Sequence, residues 1–127
     1  MCGIGLVVLG CAPEATQTLR PIMGDEIVGI WRQGETAYYL QFNADGTFNS
    51  ATSVAALGSA PIDFGTYVLD GNQFTFMSSN DSPICPEHSG VYQIQITDDG
   101  QIVAEREREE CPNRRAEPIS PFIRVSP

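Results

Sequence analysis

Tyr38-Tyr39-Leu40-Gln41-Phe42-Asn43-Ala44-Asp45-Gly46-Thr47-Phe48 is the stretch that decides the fold. Its first half alternates, with Tyr38, Leu40 and Phe42 on one side and Tyr39 and Gln41 on the other, the period of a half-buried strand. Asn43-Ala44-Asp45-Gly46 then supplies turn chemistry, with glycine where a positive φ is needed, and Thr47-Phe48 restarts the strand. Outward from this hairpin, comparable runs begin near Ile27, Ala37, Thr47, Phe64, Gln73, Gly90, Gln101 and Ile119, with Asp70-Gly71-Asn72 and Asp98-Asp99-Gly100 as further tight turns. Eight short runs separated by Gly, Asp and Asn predict an all-β chain: a small eight-stranded antiparallel up-and-down barrel.

Two strands start alike, Gly65-Thr66-Tyr67-Val68-Leu69 and Gly90-Val91-Tyr92-Gln93-Ile94. Glycine at such a position allows the sharp bend that lets a sheet curl closed. Alternation turns Tyr67, Leu69, Tyr92, Ile94 and Ile96 inward, so that Tyr38, Phe42, Tyr67, Phe76 and Tyr92 form an aromatic set facing the lumen. The run Gln101 to Glu109 separates by charge, with Ile102, Ala104, Arg106 and Arg108 on one side and Val103, Glu105, Glu107 and Glu109 on the other. Ile102 and Ala104 place the arginine side inward, which brings Arg106 to the lumen as a candidate bidentate ligand for a carboxylate or phosphate. The same pattern also suits a solvated ribbon that protects a sheet edge. Ser53 to Asp63 is long and apolar enough either to lie over a barrel mouth as a lid or to pack Val54 and Leu57 on its rim.

Sixteen acids against seven arginines give 127 residues a formal net charge of −9, which argues against nucleic acid and against anionic lipid surfaces. The chain has no lysine, so Schiff-base chemistry and a phosphate-loop lysine are excluded. A single histidine, His88, and four cysteines without CxxC spacing leave no basis for a metal site, and no cofactor motif is present.

The apolar residues Cys2 to Gly10, ending Val8-Leu9-Gly10-Cys11 and followed by the small and polar Ala12 to Thr18, resemble a bacterial lipobox. That resemblance implies cleavage before Cys11, lipidation of its sulfur and an exported protein held to the membrane only through the lipid; the same run also suits a secretory peptide cut elsewhere, which would leave the protein secreted, or a buried apolar strand. It divides the chain into a leader remnant at 1–11, a tether at 12–25 and one barrel domain at 26–127. Leu9 stands where a smaller residue is usual, and no Lys or Arg precedes the apolar run. Export favours bridged cysteines, and Cys85-Pro86 and Cys111-Pro112 flank the strand pair Gly90 to Ile96 and Gln101 to Glu107 symmetrically. A Cys85–Cys111 disulfide would staple that hairpin at its open end and contribute on the order of 3 kcal/mol.

Gly29-Ile30-Trp31 at the first strand, eight strands after it and Arg124 in Phe122-Ile123-Arg124-Val125 resemble the lipocalin and wider calycin pattern. The resemblance implies that Trp31 plugs a closed barrel end and that Arg124 packs across its indole. About 100 residues is short for a lipocalin, and there is no room for its C-terminal helix. Three functions fit such a barrel. The first is binding of a small apolar or amphipathic molecule by Tyr38, Phe42, Tyr67, Phe76, Tyr92 and Arg106, opposed by the option that side chains fill the lumen. The second is a scaffold for a protein partner, like the barrel-shaped protease inhibitors of some bacteria. The third is confinement catalysis of a cyclisation or isomerisation, for which Glu87, His88 and Arg106 are the available groups, with no nucleophile motif to support it.

Overall fold

The computed structural model describes residues 18–116, 119 and 121–126. Cys11, the leader and the tether as far as residue 17 lie outside the described residues. The elements are β1 (Leu19–Arg20), β2 (Gly29–Gln33), β3 (Tyr39–Phe42), β4 (Thr47–Ala51), a 3-10 turn (Ala55–Leu57), β5 (Asp63–Asp70), β6 (Gln73–Ser78), β7 (Ser89–Thr97), β8 (Ile102–Glu109), α1 (Pro112–Arg115) and β9 (Phe122–Ser126). Strands β2 to β9 each pair antiparallel with the next, and β9 returns to β2, which closes an eight-stranded barrel. The last strand starts at Phe122, after the expected Ile119, because Pro121 has no N–H to give to a ladder.

Packing begins ahead of the expected boundary at residue 26. Leu19 and Arg20 pair with Thr97 and Ile96 of β7, below the point where β6 ends, and Ile22 is buried in the core. Arg20 holds Glu26 through two bonds of 2.9 and 2.7 Å, and Glu26 also accepts from the Met23 amide at 2.7 Å. The Arg20 bond first, and the Met23 amide second, pull the Glu26 carboxyl down to about 2. Because the folded value is depressed, this contribution is complete above the ordinary 4.5 and is lost as pH falls toward about 2. The amide resonances of Arg20 and Thr97 should therefore shift across that window in the native chain, and stay still in Glu26→Gln.

Turn chemistry builds the hairpins. At Asn43–Thr47 the Asn43 amide donates to Thr47 O at 2.8 Å and the Gly46 amide to Asn43 O at 3.1 Å, with Gly46 at φ +87°. The β7–β8 turn repeats the design, Thr97 to Gln101 O at 2.9 Å and Gly100 to Thr97 O at 3.0 Å, with Gly100 at φ +87°. In both, a turn ends in a left-handed glycine that restores the strand twist.

These turns, with Gly71, mark one end of the barrel, and residues 21–28 cross beneath it. Trp31, fully buried, fills that end among Ile22, Ile27, Phe42, Phe48, Ile96 and Ile102, and its Nε1 donates to Ile27 O at 2.9 Å. The Arg124 guanidinium lies 4.2 Å from the Trp31 ring centroid and donates to the Val28 and Glu26 carbonyls. First strand, last strand and crossing segment are thus tied at one point. The opposite end carries the longer connections, α1 and the disulfide.

A β-bulge decides what β8 presents to the interior. Val91 pairs with Arg108 and Tyr92 with Arg106, so Glu107 is an extra residue. Before it, Ile102, Ala104 and Arg106 point inward as the alternation predicts. After it the alternation is reversed: Glu109 is buried and Arg108 exposed.

Candidate functional site

The lower half of the barrel is filled, and the upper half encloses a cavity of about 450 Å³ that opens at the loop-bearing end. Its floor is Phe42, Phe74 and Leu40; its walls include Tyr38, Phe76, Tyr92, Ile94 and Phe122. Around the rim stand Gln33, Thr52, Asp63, Arg106, Asn113 and Arg114. The inward positions of strands β3, β6, β7 and β8 set Leu40, Phe42, Phe74, Phe76, Tyr92, Ile94 and Arg106 by simple alternation. Of the predicted contact residues, Tyr38, Phe42, Phe76, Tyr92 and Arg106 line this one space. Tyr67 does not. It stands behind the floor, its ring against Phe42 and Phe74, and its hydroxyl donates to Asn43 O at 2.8 Å beside a second, more open depression of about 440 Å³ at the closed end.

The rings are mutually supported. Phe42 meets Phe74 edge-on at 5.3 Å, Phe74 lies 5.5 Å from Phe76, and Phe76 lies 5.6 Å from Tyr92. Phe74, which shares the face of Phe76, joins two of these contacts, although only Phe76 was expected at the site.

At the rim lies a buried ionic cluster. Arg114, on α1, binds Asp63 at 2.6 Å and Glu109 at 2.9 Å, and its guanidinium lies 4.4 Å from the Phe76 ring centroid. Asp63 also accepts from Ser78 and Ser82, each at 2.7 Å. Glu109 accepts from Tyr92 Oη and from the Cys111 amide at 3.1 Å. Every oxygen of the two carboxylates therefore has a donor, the condition under which buried charge is tolerated. Burial works against the Arg114 charge, but the bond and charge of Glu109, with Asp63, outweigh it and raise the group. Burial, then the Glu109 bond, pushes the Tyr92 phenol up to about 12, so Tyr92 stays a donor. Arg106 donates through Nη2 to Arg114 O at 3.1 Å.

The Cys85–Cys111 disulfide is formed, with Cα atoms 5.5 Å apart and both residues fully buried. Cys111 is the residue before α1, and Pro112 takes the first helical position, where a missing N–H is harmless. One turn later comes Arg114. The bridge thus ties the β6–β7 loop to the short helix that carries the central cation of the cluster.

The connection Ser53 to Asp63 does not cover the mouth. Only its ends reach the cavity, through Thr52 on one side and Ile62 and Asp63 on the other. Its middle packs Leu57 on the outer wall, where Asn49, on the outward side of β4, donates to Leu57 O; Val54 is exposed. Glu87 and His88 do not line the cavity: Glu87 is exposed at φ +61°, and the His88 carbonyl accepts from Arg114. Among the described residues no group of three His, Cys, Asp or Glu side chains could hold a metal ion.

No protein-family model, no curated protein and no solved structure matches this chain. Its reading therefore rests on the barrel's own geometry.

Both strand-start glycines are required by close approach. A Cβ at Gly65 would stand 2.0 Å from the Met77 carbonyl oxygen, and one at Gly90 would stand 2.6 Å from Glu109 Oε1 and 2.9 Å from the Tyr92 ring. Gly90→Ala should destabilise by about 1–3 kcal/mol through the ionic cluster, and Gly65→Ala by more, since backbone must move. Equilibrium urea unfolding of the two variants checks the ranking.

Proposed function

We propose that this barrel is an exported carrier that binds one small amphipathic molecule in its upper lumen. The observation that carries the reading is the open cavity of about 450 Å³ with aromatic and aliphatic walls and a polar rim, a size and lining typical of small-molecule sites. The half-filled barrel supports a specific bound molecule: Trp31 and its neighbours close the floor, so the space is a cup with a single mouth.

A buried disulfide supports an oxidising compartment, and lipidation of Cys11 remains our reading of the N-terminal segment. The chain joins the barrel at its closed end, where β1 pairs beside the Asp98-Asp99-Gly100 turn. Residues 12–18 span at most roughly 25 Å when extended. An anchor at Cys11 would hold the closed end toward the membrane and leave the mouth facing the aqueous side.

Native mass spectrometry of the oxidised protein, purified from a homologous host and repeated after denaturation, tests the binding. A releasable small molecule bound one to one is expected; a bare polypeptide from every preparation would overturn the carrier reading.

A further inference from the structure

We infer that the molecule accepted by this lumen is a flat, conjugated ring system carrying a hydrogen-bond acceptor at its mouth end, and not a flexible acyl chain. The inference rests on the lumen-binding reading above and adds the chemical class.

Phe42, Phe74, Phe76 and Tyr92 form an unbroken ribbon from floor to rim, with successive centroids 5.3, 5.5 and 5.6 Å apart. From Phe74 to Phe76 to Tyr92 the ring planes turn by only 37° and 33°. Two of the rings are braced by neighbours: Tyr67 stacks on Phe74 with 27° between planes, and the Arg114 guanidinium lies over Phe76. Phe42 meets Phe74 edge-on at the floor, and above that step the wall is a braced aromatic surface whose planes turn gradually. A planar conjugated ligand gains offset-stacked or edge contacts against such a wall and loses few rotors on binding. An acyl chain gains general apolar contact only, and must freeze each of its torsions in a space that does not follow its shape.

The rim selects for an acceptor. Asp63 is the only carboxylate residue that lines the cavity among the described residues, and it already accepts from Ser78, Ser82 and Arg114. Arg106, next to Tyr92 on the wall, contributes N–H donors and no acceptor. A carbonyl, carboxylate or sulfonate directed at the mouth meets a guanidinium, whereas a ligand ammonium meets a carboxylate that is fully engaged.

Three probes separate the terms when titrated calorimetrically into the oxidised full chain. N-phenyl-1-naphthylamine has the rings without an acid, 8-anilinonaphthalene-1-sulfonate adds the acceptor, and dodecanoate is an acid on a flexible chain. The sulfonate probe should bind one to one and about tenfold or more tighter than dodecanoate, with the uncharged ring probe between them. Phe74→Leu should weaken both ring probes and leave dodecanoate unchanged, and Arg106→Gln should erase the difference between the two ring probes; near-UV circular dichroism verifies that each variant is folded. Dodecanoate binding as tightly as the ring probes would overturn the ring class and leave the carrier reading standing. A preserved sulfonate preference in Arg106→Gln would overturn the acceptor assignment. Failure of all three probes, with release in native mass spectrometry of a molecule that has no conjugated ring, would overturn this inference alone; a bare chain would overturn the carrier reading as well.

Discussion

Replacing Arg114 with alanine is expected to destabilise the barrel by about 3–5 kcal/mol, because it strands two buried carboxylates rather than merely deleting a favourable contact. Asp63 is 1% exposed and Glu109 5% exposed, and Arg114 is the cation that both of them bind. The serine, tyrosine and amide donors that remain can solvate the oxygens but cannot neutralise them. For a barrel of about 100 residues this corresponds to a fall in Tm of well over 10 °C, measurable by calorimetry. The accompanying test is the triple variant Asp63→Asn, Glu109→Gln, Arg114→Met. Removing charge from all three positions together should recover most of the loss, since a buried ionic cluster and a neutral one of similar volume are often comparable in stability. If the triple variant is as unstable as Arg114→Ala alone, the penalty lies in packing against Phe76 and not in the unpaired charges.

Removing the disulfide, as Cys85→Ala with Cys111→Ala, should cost about 3 kcal/mol through the larger freedom of the unfolded chain, given a sequence separation of 26. A native-state loss should accompany it, because the bridge fixes the start of α1 and thereby the position of Arg114. The two effects separate in a double-mutant cycle. If the bridge positions the guanidinium, Arg114→Ala should be less damaging in the bridge-free background than in the native one, with a coupling of about 0.5–3 kcal/mol. Additive losses would mean that α1 docks through Arg114 whether or not the cysteines are joined. Both arms use urea unfolding of the oxidised parent and the alanine variants at one pH and temperature.

Much of this architecture is legible along the chain, because the terms that write it are short-ranged. Alternation at Tyr38–Phe42, the Asn43–Gly46 turn and its counterpart at Thr97–Gly100 depend on a few consecutive residues, and they place Tyr38, Phe42, Phe76 and Tyr92 on the inner face. The pairing of Trp31 with Arg124 and of Cys85 with Cys111 is long-range, yet it can be anticipated because each residue type has few sensible partners: one tryptophan in the chain, and two cysteines beside prolines at matching ends of one hairpin. The depth of Tyr67 is less legible, since alternation gives the face of a strand but not the height along the barrel. Its hydroxyl is drawn down to the Asn43 carbonyl, which takes the ring out of the cavity.

Arg114 and Asp63 carried no local signal. They are 51 positions apart, one on a single-turn helix and one at the end of a loop, and either would be read alone as a solvated surface charge. The β8 bulge is of the same kind. Strict alternation puts Arg108 inside and Glu109 outside, and one extra residue at Glu107 reverses the two. What decides between those registers is which charge can be neutralised at that depth, and the neutralising group is Arg114 on the helix that follows, steadied by Asp63 from across the barrel. By itself the sequence determined the barrel, its closed end, its staple and most of its aromatic wall, all products of local geometry or of scarce residue types. Only the tertiary structure decided which charges are buried and that the upper lumen stays open, because the free energy of a buried charge or an unfilled space depends on neighbours that the linear chain does not place side by side.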